Sequence, residues 1–130
     1  LPVEEQYLDM QAQAWIMARE SEKAVLTLKK LTELQDGGEA WMRMAQIHVE
    51  NAEWQEAQAA INNALKKDLD SPGRAWLLLG IAQSELEMFN DARGALKRAQ
   101  AFEDTARSAK AWMRYSEDMK RQAAWITSNQ

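Results

Sequence analysis

The 130-residue sequence contains no cysteine, only two prolines and only five glycines. The absence of cysteine excludes disulfides, thiolate metal sites and thiol nucleophiles, and it is compatible with either the cytoplasm or the periplasm. Strong helix formers such as Ala, Leu, Glu, Lys, Gln and Met fill most of the remaining positions. No segment alternates apolar and polar residues over the length of a strand. The composition therefore predicts an all-α protein.

The sequence also lacks a basic charge balance and a long apolar run. Its formal net charge is −4 at pH 7, whereas nucleic-acid binding selects for a basic surface. No apolar run approaches the ~20 residues of a membrane span, and the opening LPVEEQ is not a signal peptide. Because the chain begins at Leu1, we expect it to be a fragment of a longer protein. We expect no nucleic-acid binding and no direct membrane insertion.

Aromatic residues recur along the chain at intervals of 35 or 36 positions. Trp41 and Trp76 are 35 positions apart, and Trp76 and Trp112 are 36 apart. Trp54 and Phe89 repeat the interval of 35. Self-similarity at this period is typical of helical solenoids, in which each repeat is a pair of helices.

The stretch AWLLLGIAQSELEMFNDARGAL at 75–96 predicts two helices rather than one. Asn90 and Asp91 favour a turn because their short side chains compete for backbone hydrogen bonds, and we place that turn near 87–90. Gly80 then lies inside the first helix, where glycine costs ~1 kcal/mol relative to alanine. We therefore expect another helix to approach Gly80 closely.

Capping signals mark three of the predicted helix starts. Asp36 and Glu39 have the spacing of a capping box, Pro72 suits a first helical turn, and Thr105 can cap the last helix. Combined with the repeat period, these signals predict helices at about 4–18, 21–35, 38–51, 54–67, 73–86, 89–101 and 105–126.

At these positions the chain resembles the tetratricopeptide repeat (TPR) family, whose pattern is Trp-x2-Leu-Gly-x2-Tyr followed by Ala-x3-Phe. The third unit fits best and departs at Gln83, where Tyr is usual. The second unit has Met44 and Ala45 in place of Leu-Gly. The first unit has Leu8 in place of Trp. The matching positions are Trp76, Leu79, Gly80, Ala92, Leu96 and Ala99 in the third unit, Trp41, Ala57, Ile61 and Ala64 in the second, and Ala12, Ala24, Leu28 and Leu31 in the first.

This resemblance implies a single domain over 1–130, built as an α-solenoid of seven helices. The three helix pairs are expected at about 5–37, 38–72 and 73–104, and a capping helix at about 105–126. A solenoid needs a terminal element that covers the last repeat and presents a polar outer face. The inward stripe of the capping helix is predicted to consist of Ala109, Trp112, Ser116, Met119, Ala123 and Ile126, at helical spacing.

Residues that could carry catalysis or bind a metal are few. His48 is the only histidine, it occupies the place of the family's Tyr, and we predict that it packs against a neighbouring helix. Glu50 and Asn51 do not complete a recognisable metal-ligand set with it. One histidine cannot be shared among Ser71, Ser84 and Ser116 as a catalytic base. The carboxylate pairs Glu53/Glu56 and Glu85/Glu87 are interpreted as solvated surface. We expect no enzyme activity, no cofactor and no metal.

The resemblance implies a functional surface on the concave face, which is lined by the first helix of each pair. Counting from the core tryptophans, the residues predicted to line this groove are Asp9, Gln13, Met42, Gln46, Leu77, Ile81, Met113 and Glu117. Some family members bind a C-terminal carboxylate here through Lys, Asn and Arg side chains. In this chain the middle of the groove is instead predicted to be lined by Met42, Leu77 and Ile81. An apolar groove containing methionine suits an amphipathic helix or an extended apolar peptide. The alternative is that neighbours or upstream repeats cover Leu77 and Ile81.

Trp125 lies off the inward stripe of the capping helix, on one face with Asp118 and Arg121. It is either a contact of a frayed helix end or an interface residue, since aromatic residues are enriched at interfaces.

The sequence thus predicts a non-enzymatic interaction module or scaffold that binds a protein or peptide partner in its groove. The alternative is the structural end-cap of a longer solenoid, whose groove mediates self-association into a homo-oligomer. The ending ARSAKAWMRYSEDMKRQ after a WLLLG repeat is also similar to periplasmic proteins that accompany bacterial TonB energy-transduction components. That similarity implies a periplasmic scaffold with envelope energy-transduction partners; a cytoplasmic location is the alternative.

Overall fold

A computed structural model describes residues 2–130, and this range contains seven α-helices and no strand. The helices are α1 (Val3–Met17), α2 (Ser21–Leu34), α3 (Glu39–Glu50), α4 (Trp54–Leu65), α5 (Pro72–Glu85), α6 (Phe89–Gln100) and α7 (Ala106–Ser128). Each begins and ends within two residues of its predicted limits, so the all-α class is confirmed. Among the described residues, no helix combines the length and the apolar character that crossing a membrane requires.

Helix packing divides the chain into two compact units. Unit 1 extends to Asp70 and contains α1 to α4, and unit 2 is Ser71–Gln130 with α5 to α7. In unit 1, α1 packs on α2, α2 on α3 and α3 on α4. In unit 2, α5 packs on α6, while α7 contacts both α6 and α5. The single domain over 1–130 stays a prediction.

The second helix of each pair has the same buried stripe. An alanine is followed four positions later by a branched aliphatic residue, a spacing that places both on one helix face. All six of these residues have no exposed surface: Ala24 with Leu28, Ala57 with Ile61, and Ala92 with Leu96. Because alanine is small, the first helix of the pair can approach this stripe closely.

The two helices of each pair are joined by the same backbone turn. Its central residue, Arg19, Ala52 or Glu87, is left-handed, with φ of 59°, 55° and 59°. In the second pair the Glu53 N–H donates to the His48 carbonyl at 2.8 Å, and the other two turns repeat this bond. Together with the left-handed residue, this is the Schellman motif. The motif is formed here without glycine.

The turn between α5 and α6 confirms that 75–96 contains two helices, but the predicted cause of the turn is wrong. Asn90 and Asp91 lie in the first turn of α6. The chain reverses instead at Glu87, whose N–H donates to the Ser84 carbonyl at 3.1 Å.

Gly80 lies where α5 meets α6. A Cβ added to it would be 2.5 Å from Cγ of Leu96, so the expected close approach is confirmed. The buried Ser84 hydroxyl donates to the Gly80 carbonyl at 2.8 Å and lies 2.9 Å from the Ser116 hydroxyl on α7, within hydrogen-bond distance. The Ser84–Ser116 pair therefore connects α5 to α7.

The capping box predicted at Asp36 and Glu39 is wrong. Helix α3 begins at Glu39, with Gly38 at the N-cap position, so Asp36 lies too early in the chain to cap it. The Glu39 carboxylate accepts a hydrogen bond from the Asp70 N–H at 3.1 Å. The Gly38 N–H donates to the Asp68 carbonyl at 3.0 Å. These bonds hold the segment after α4 against the start of α3.

Two tryptophans, Trp15 and Trp76, are half-buried and lie beneath cations. The Lys23 ammonium is 4.7 Å from the centre of the Trp15 ring. In unit 2 the Arg98 guanidinium is 4.7 Å from the Trp76 ring. Each ring therefore has a cation–π contact with a side chain of the second helix of its pair.

The inward stripe of α7 is confirmed over most of its length. Ala109 and Ser116 are buried, and Trp112, Met119 and Ala123 are half-buried. Ile126 is 51% exposed, so its predicted inward position is wrong. The reason is length, because α7 has 23 residues and α6, against which it packs, has 12.

Candidate partner-binding surfaces

Four of the predicted groove residues lie in unit 1, on α1 and α3, and three of them are accessible and polar. Asp9 forms an ion pair with Arg43 that joins the two helices. Gln13 is exposed. The Gln46 side chain donates to the Glu50 carboxylate at 3.1 Å. The accessible members of the set in unit 1 thus offer charge and hydrogen bonds.

Met42, the fourth residue, is only 8% exposed, although we expected an accessible side chain. Helix α3 packs against α2 on one side and α4 on the other, so its buried residues spread around most of its circumference. They are Ala40, Met42, Met44, Ala45 and Ile47.

In unit 2, helix α5 carries two apolar groove residues that remain partly accessible. Leu77 and Ile81 are half-buried, whereas Leu78 and Leu79 are buried. Residues four positions apart share a helix face, so Leu77 and Ile81 form one apolar strip along α5.

Met113 and Glu117 lie together in a depression of about 590 Å³. Its lining comes from α6 and α7, whereas Leu77 and Ile81 belong to α5. The Gln100 amide donates to Sδ of Met113 at 3.1 Å. The lining residues are Gln100, Lys110, Met113, Arg114, Glu117, Asp118 and Arg121. Three cationic and two carboxylate side chains line the depression with a single methionine, which suits a ligand with both apolar and charged groups.

Trp125 is 67% exposed near the end of α7, and the neighbouring Ile126 is exposed as well. One turn earlier Asp118 and Arg121 form an ion pair. Large exposed apolar side chains beside a charged pair are a composition typical of interfaces.

His48 has charged neighbours that the sequence pattern did not reveal. Its side chain is 13% exposed, and Nδ1 lies 3.0 Å from Oε1 of Glu53. The donor atoms of His48, Glu53 and Glu56 all lie within 4.8 Å of one another. The left-handed turn at Ala52 brings these residues together, and an alanine gives no sequence signal for such a turn. Glu53 and Glu56 are both exposed, as predicted, but Glu53 is paired with His48.

Comparison with known proteins relates this chain to solved structures only. No protein-family model matches the sequence, and no curated protein matches it. The TPR domain of Arabidopsis OM64 is similar with a TM-score of 0.75 and 18% identity, over 88% of this chain and 94% of that one. The TPR2B domain of yeast Sti1, in complex with pHsp70, is similar with a TM-score of 0.68 and 16% identity, over 96% of this chain and 99% of that one. At these identities the likeness establishes the fold, which is that of TPR domains.

Proposed function

We propose that this chain is a non-enzymatic interaction module that binds a peptide or protein partner through the first helices of its helix pairs. The apolar strip of Leu77 and Ile81 is the observation that carries this proposal. Both side chains keep accessible surface on a helix whose remaining apolar residues are used to pack α6 and α7. Burying such a strip against a partner gains roughly 25 cal/mol per Å² of apolar surface.

The fold supports the proposal because the similar domain of yeast Sti1 is in complex with pHsp70. The ligand proposed here differs in chemistry. In unit 2, the α5 positions at which some TPR domains hold a carboxylate with basic and amide side chains are occupied by Leu77 and Ile81. We therefore propose an amphipathic helix or an extended apolar peptide as the ligand.

Each unit, taken by itself, also carries polar residues that we propose as partner contacts. In unit 1 they are made by Asp9, Gln13 and Gln46, and in unit 2 by Glu117 beside Met113. Trp125 is proposed as a separate contact at the end of α7. Such polar groups add specificity more than affinity.

The test is the substitution Ile81→Glu. Peptides selected from a displayed library on the wild-type chain are expected to carry apolar residues at helical spacing. Binding of those peptides to the variant, measured by fluorescence polarisation, should weaken by at least about tenfold, because an unpaired carboxylate would be desolvated at the interface. The melting temperature should change little, since Ile81 is only half-buried.

Leu26→Glu is the matched control. It introduces the same charge on α2, where Leu26 is 63% exposed, and it should leave peptide binding intact. Equal binding by the wild type and a folded Ile81→Glu chain would remove the strip from the proposed surface. An unfolded variant would show that Ile81 belongs to the core.

The same variant tests the alternative function, a solenoid end that self-associates. Sedimentation velocity over a concentration series would show oligomers of the wild type that Ile81→Glu abolishes. A wild-type chain that stays monomeric throughout the series contradicts this alternative and leaves peptide binding as the proposed function.

A periplasmic location with envelope energy-transduction partners is part of the proposal. It rests on the resemblance of ARSAKAWMRYSEDMKRQ, stated as an expectation from the sequence, to proteins that accompany TonB components. Fractionation of cells that produce the protein from its native gene should place it in the periplasm. Recovery in the cytoplasmic fraction would contradict the location and leave the binding surface unaffected.

A further inference from the structure

We propose that His48, Glu53 and Glu56 form a binding site for a divalent transition-metal ion such as Zn²⁺. One donor atom from each residue lies within 4.8 Å of the other two, and the His48 and Glu53 atoms are 3.0 Å apart. Zinc holds nitrogen and oxygen ligands at about 2.1 Å, so tetrahedral ligands are about 3.4 Å from one another. Glu56 is exposed and can close the remaining gap by side-chain rotation.

The backbone holds the three ligands on opposite sides of one tight turn. His48 is in the last turn of α3, Glu53 directly precedes α4, and Glu56 is in the first turn of α4. The left-handed residue Ala52 reverses the chain, and the Glu53 N–H donates to the His48 carbonyl. Two of the three ligands are therefore positioned by a hydrogen-bonded motif rather than by a loop.

The equivalent positions of the other two pairs carry a different chemistry. In the first pair the Lys23 ammonium lies over the Trp15 ring, which shows that these turn positions bring their side chains into contact. The three positions hold Trp15, Glu20 and Lys23 in the first pair, His48, Glu53 and Glu56 in the second, and Gln83, Met88 and Asp91 in the third. Only the second pair supplies three metal-ligating side chains.

Solvent and a cation can reach the site from one side. His48 and Glu53 border a depression of about 490 Å³. Its lining residues are Ser21, Glu22, Val25, Leu26, Ile47, His48, Asn51 and Glu53. None of the eight lining residues is lysine or arginine, so no positive side chain of the depression repels a cation. The depression leaves room for a water molecule as the fourth ligand, as in open zinc sites.

A simpler explanation accounts for the glutamates alone. Carboxylates are stabilising near a helix N-terminus, where Glu53 and Glu56 both lie. That effect does not explain why the single imidazole of the chain is directed at Glu53. The two explanations differ at Glu56. Its carboxylate is a ligand in the metal site, whereas a hydrogen-bonded pair of His48 and Glu53 does not include it.

The experiment is a calorimetric titration of the untagged chain with ZnCl2, without any histidine tag. We expect one ion per chain, with binding weakened at least about tenfold by His48→Gln and by Glu56→Gln, since the loss of even an outer-sphere partner costs 10–100-fold. Glu22→Gln is the matched control, because it removes one charge from the same depression and should bind Zn²⁺ as the wild type does. CaCl2 should not bind, because Ca²⁺ requires six to eight oxygen ligands.

Imidazole NMR signals give a second readout, since the chain has one histidine. Zn²⁺ should shift both the wild-type and the Glu22→Gln signals at matched concentrations. If His48→Gln fails to fold, Glu56→Gln still tests whether Zn²⁺ binding needs a third ligand, because this variant leaves the His48–Glu53 pair in place. Imidazole signals that do not respond to Zn²⁺, or equal affinity of Glu56→Gln and the wild type, would overturn the proposal.

Discussion

Gly80 and Gly94 both lie inside helices of unit 2, but their surroundings are opposite. A Cβ on Gly80 would meet the fully buried Leu96 at 2.5 Å, whereas a Cβ on Gly94 would meet nothing within 4 Å. Gly80 is therefore required by packing, and Gly94 is retained without a packing reason.

We expect Gly94→Ala to stabilise the chain by about 1 kcal/mol, the helix-propensity difference. Gly80→Ala should instead destabilise it by about 1–2 kcal/mol, because overpacking exceeds that propensity gain. Urea unfolding of the two variants measures both free energies. A Gly80→Ala chain as stable as Gly94→Ala would show that Leu96 can move aside without cost.

The packing role of Gly80 could be predicted from the sequence, because a costly glycine inside a helix indicates a close contact. The surroundings of His48 could not be predicted in the same way. Its neighbours Glu53 and Glu56 follow at five and eight positions, and this spacing brings side chains together only when the chain reverses at Ala52. Alanine is a strong helix former, so the residue type at position 52 does not predict a left-handed turn.

At the scale of elements, the three Schellman turns are formed by residues that are poorly suited to them. A left-handed conformation costs an ordinary L-residue about 1–2 kcal/mol, and glycine avoids this cost. The turns at Arg19, Ala52 and Glu87 persist because the helices on both sides are packed together. The helices thus determine the turns. This explains why the 35-residue period predicts the helix limits well, although the chain reverses at Glu87 and not at Asn90 and Asp91.

We expect Ala52→Gly to stabilise the chain by a few tenths to about 1 kcal/mol, the relief of left-handed strain minus the extra chain entropy of glycine. Ala59→Gly is the control, since Ala59 is exposed inside α4 and the change should destabilise by about 1 kcal/mol. Thermal and urea unfolding would show the opposite signs. If both variants are destabilised to the same degree, the turn at Ala52 does not store strain.

Capping of helices was harder to predict than their extent. The Asp36–Glu39 pair has the spacing of a capping box, but Gly38 takes the N-cap position and Glu39 bonds to the Asp70 N–H. A local pattern cannot include a partner 31 positions away. The same limitation applies to Thr105, whose hydroxyl donates to the Ala99 carbonyl at 2.8 Å rather than capping α7.

At the scale of the whole molecule, the order and class of the helices follow from the repeat, while the accessibility of the proposed groove does not. Periodicity identifies which residues face the partner helix, since helical spacing is local. Exposure depends on how many helices surround a given one. Met42 is buried because α3 has neighbours on two sides, and Ile126 is exposed because α7 is longer than the helix it packs against.

Helix α7 covers both α5 and α6 in unit 2. Deleting residues 105–130 removes the Ser116 partner of Ser84 and the half-buried Trp112, and it uncovers apolar surface of the last helix pair. Because a solenoid needs a terminal element that shields this surface, we expect aggregation or loss of cooperative unfolding. Size-exclusion chromatography and urea unfolding measure these two effects.

Deletion of residues 124–130 is the matched control for this truncation. All seven of these residues are exposed, so their removal should change the free energy of unfolding by no more than about 0.5 kcal/mol. The shorter deletion also removes Trp125, and weaker partner binding by that folded variant would assign Trp125 to the interface. A chain lacking 105–130 that stays monomeric, with the melting temperature of the intact protein, would show that α7 does not cap unit 2.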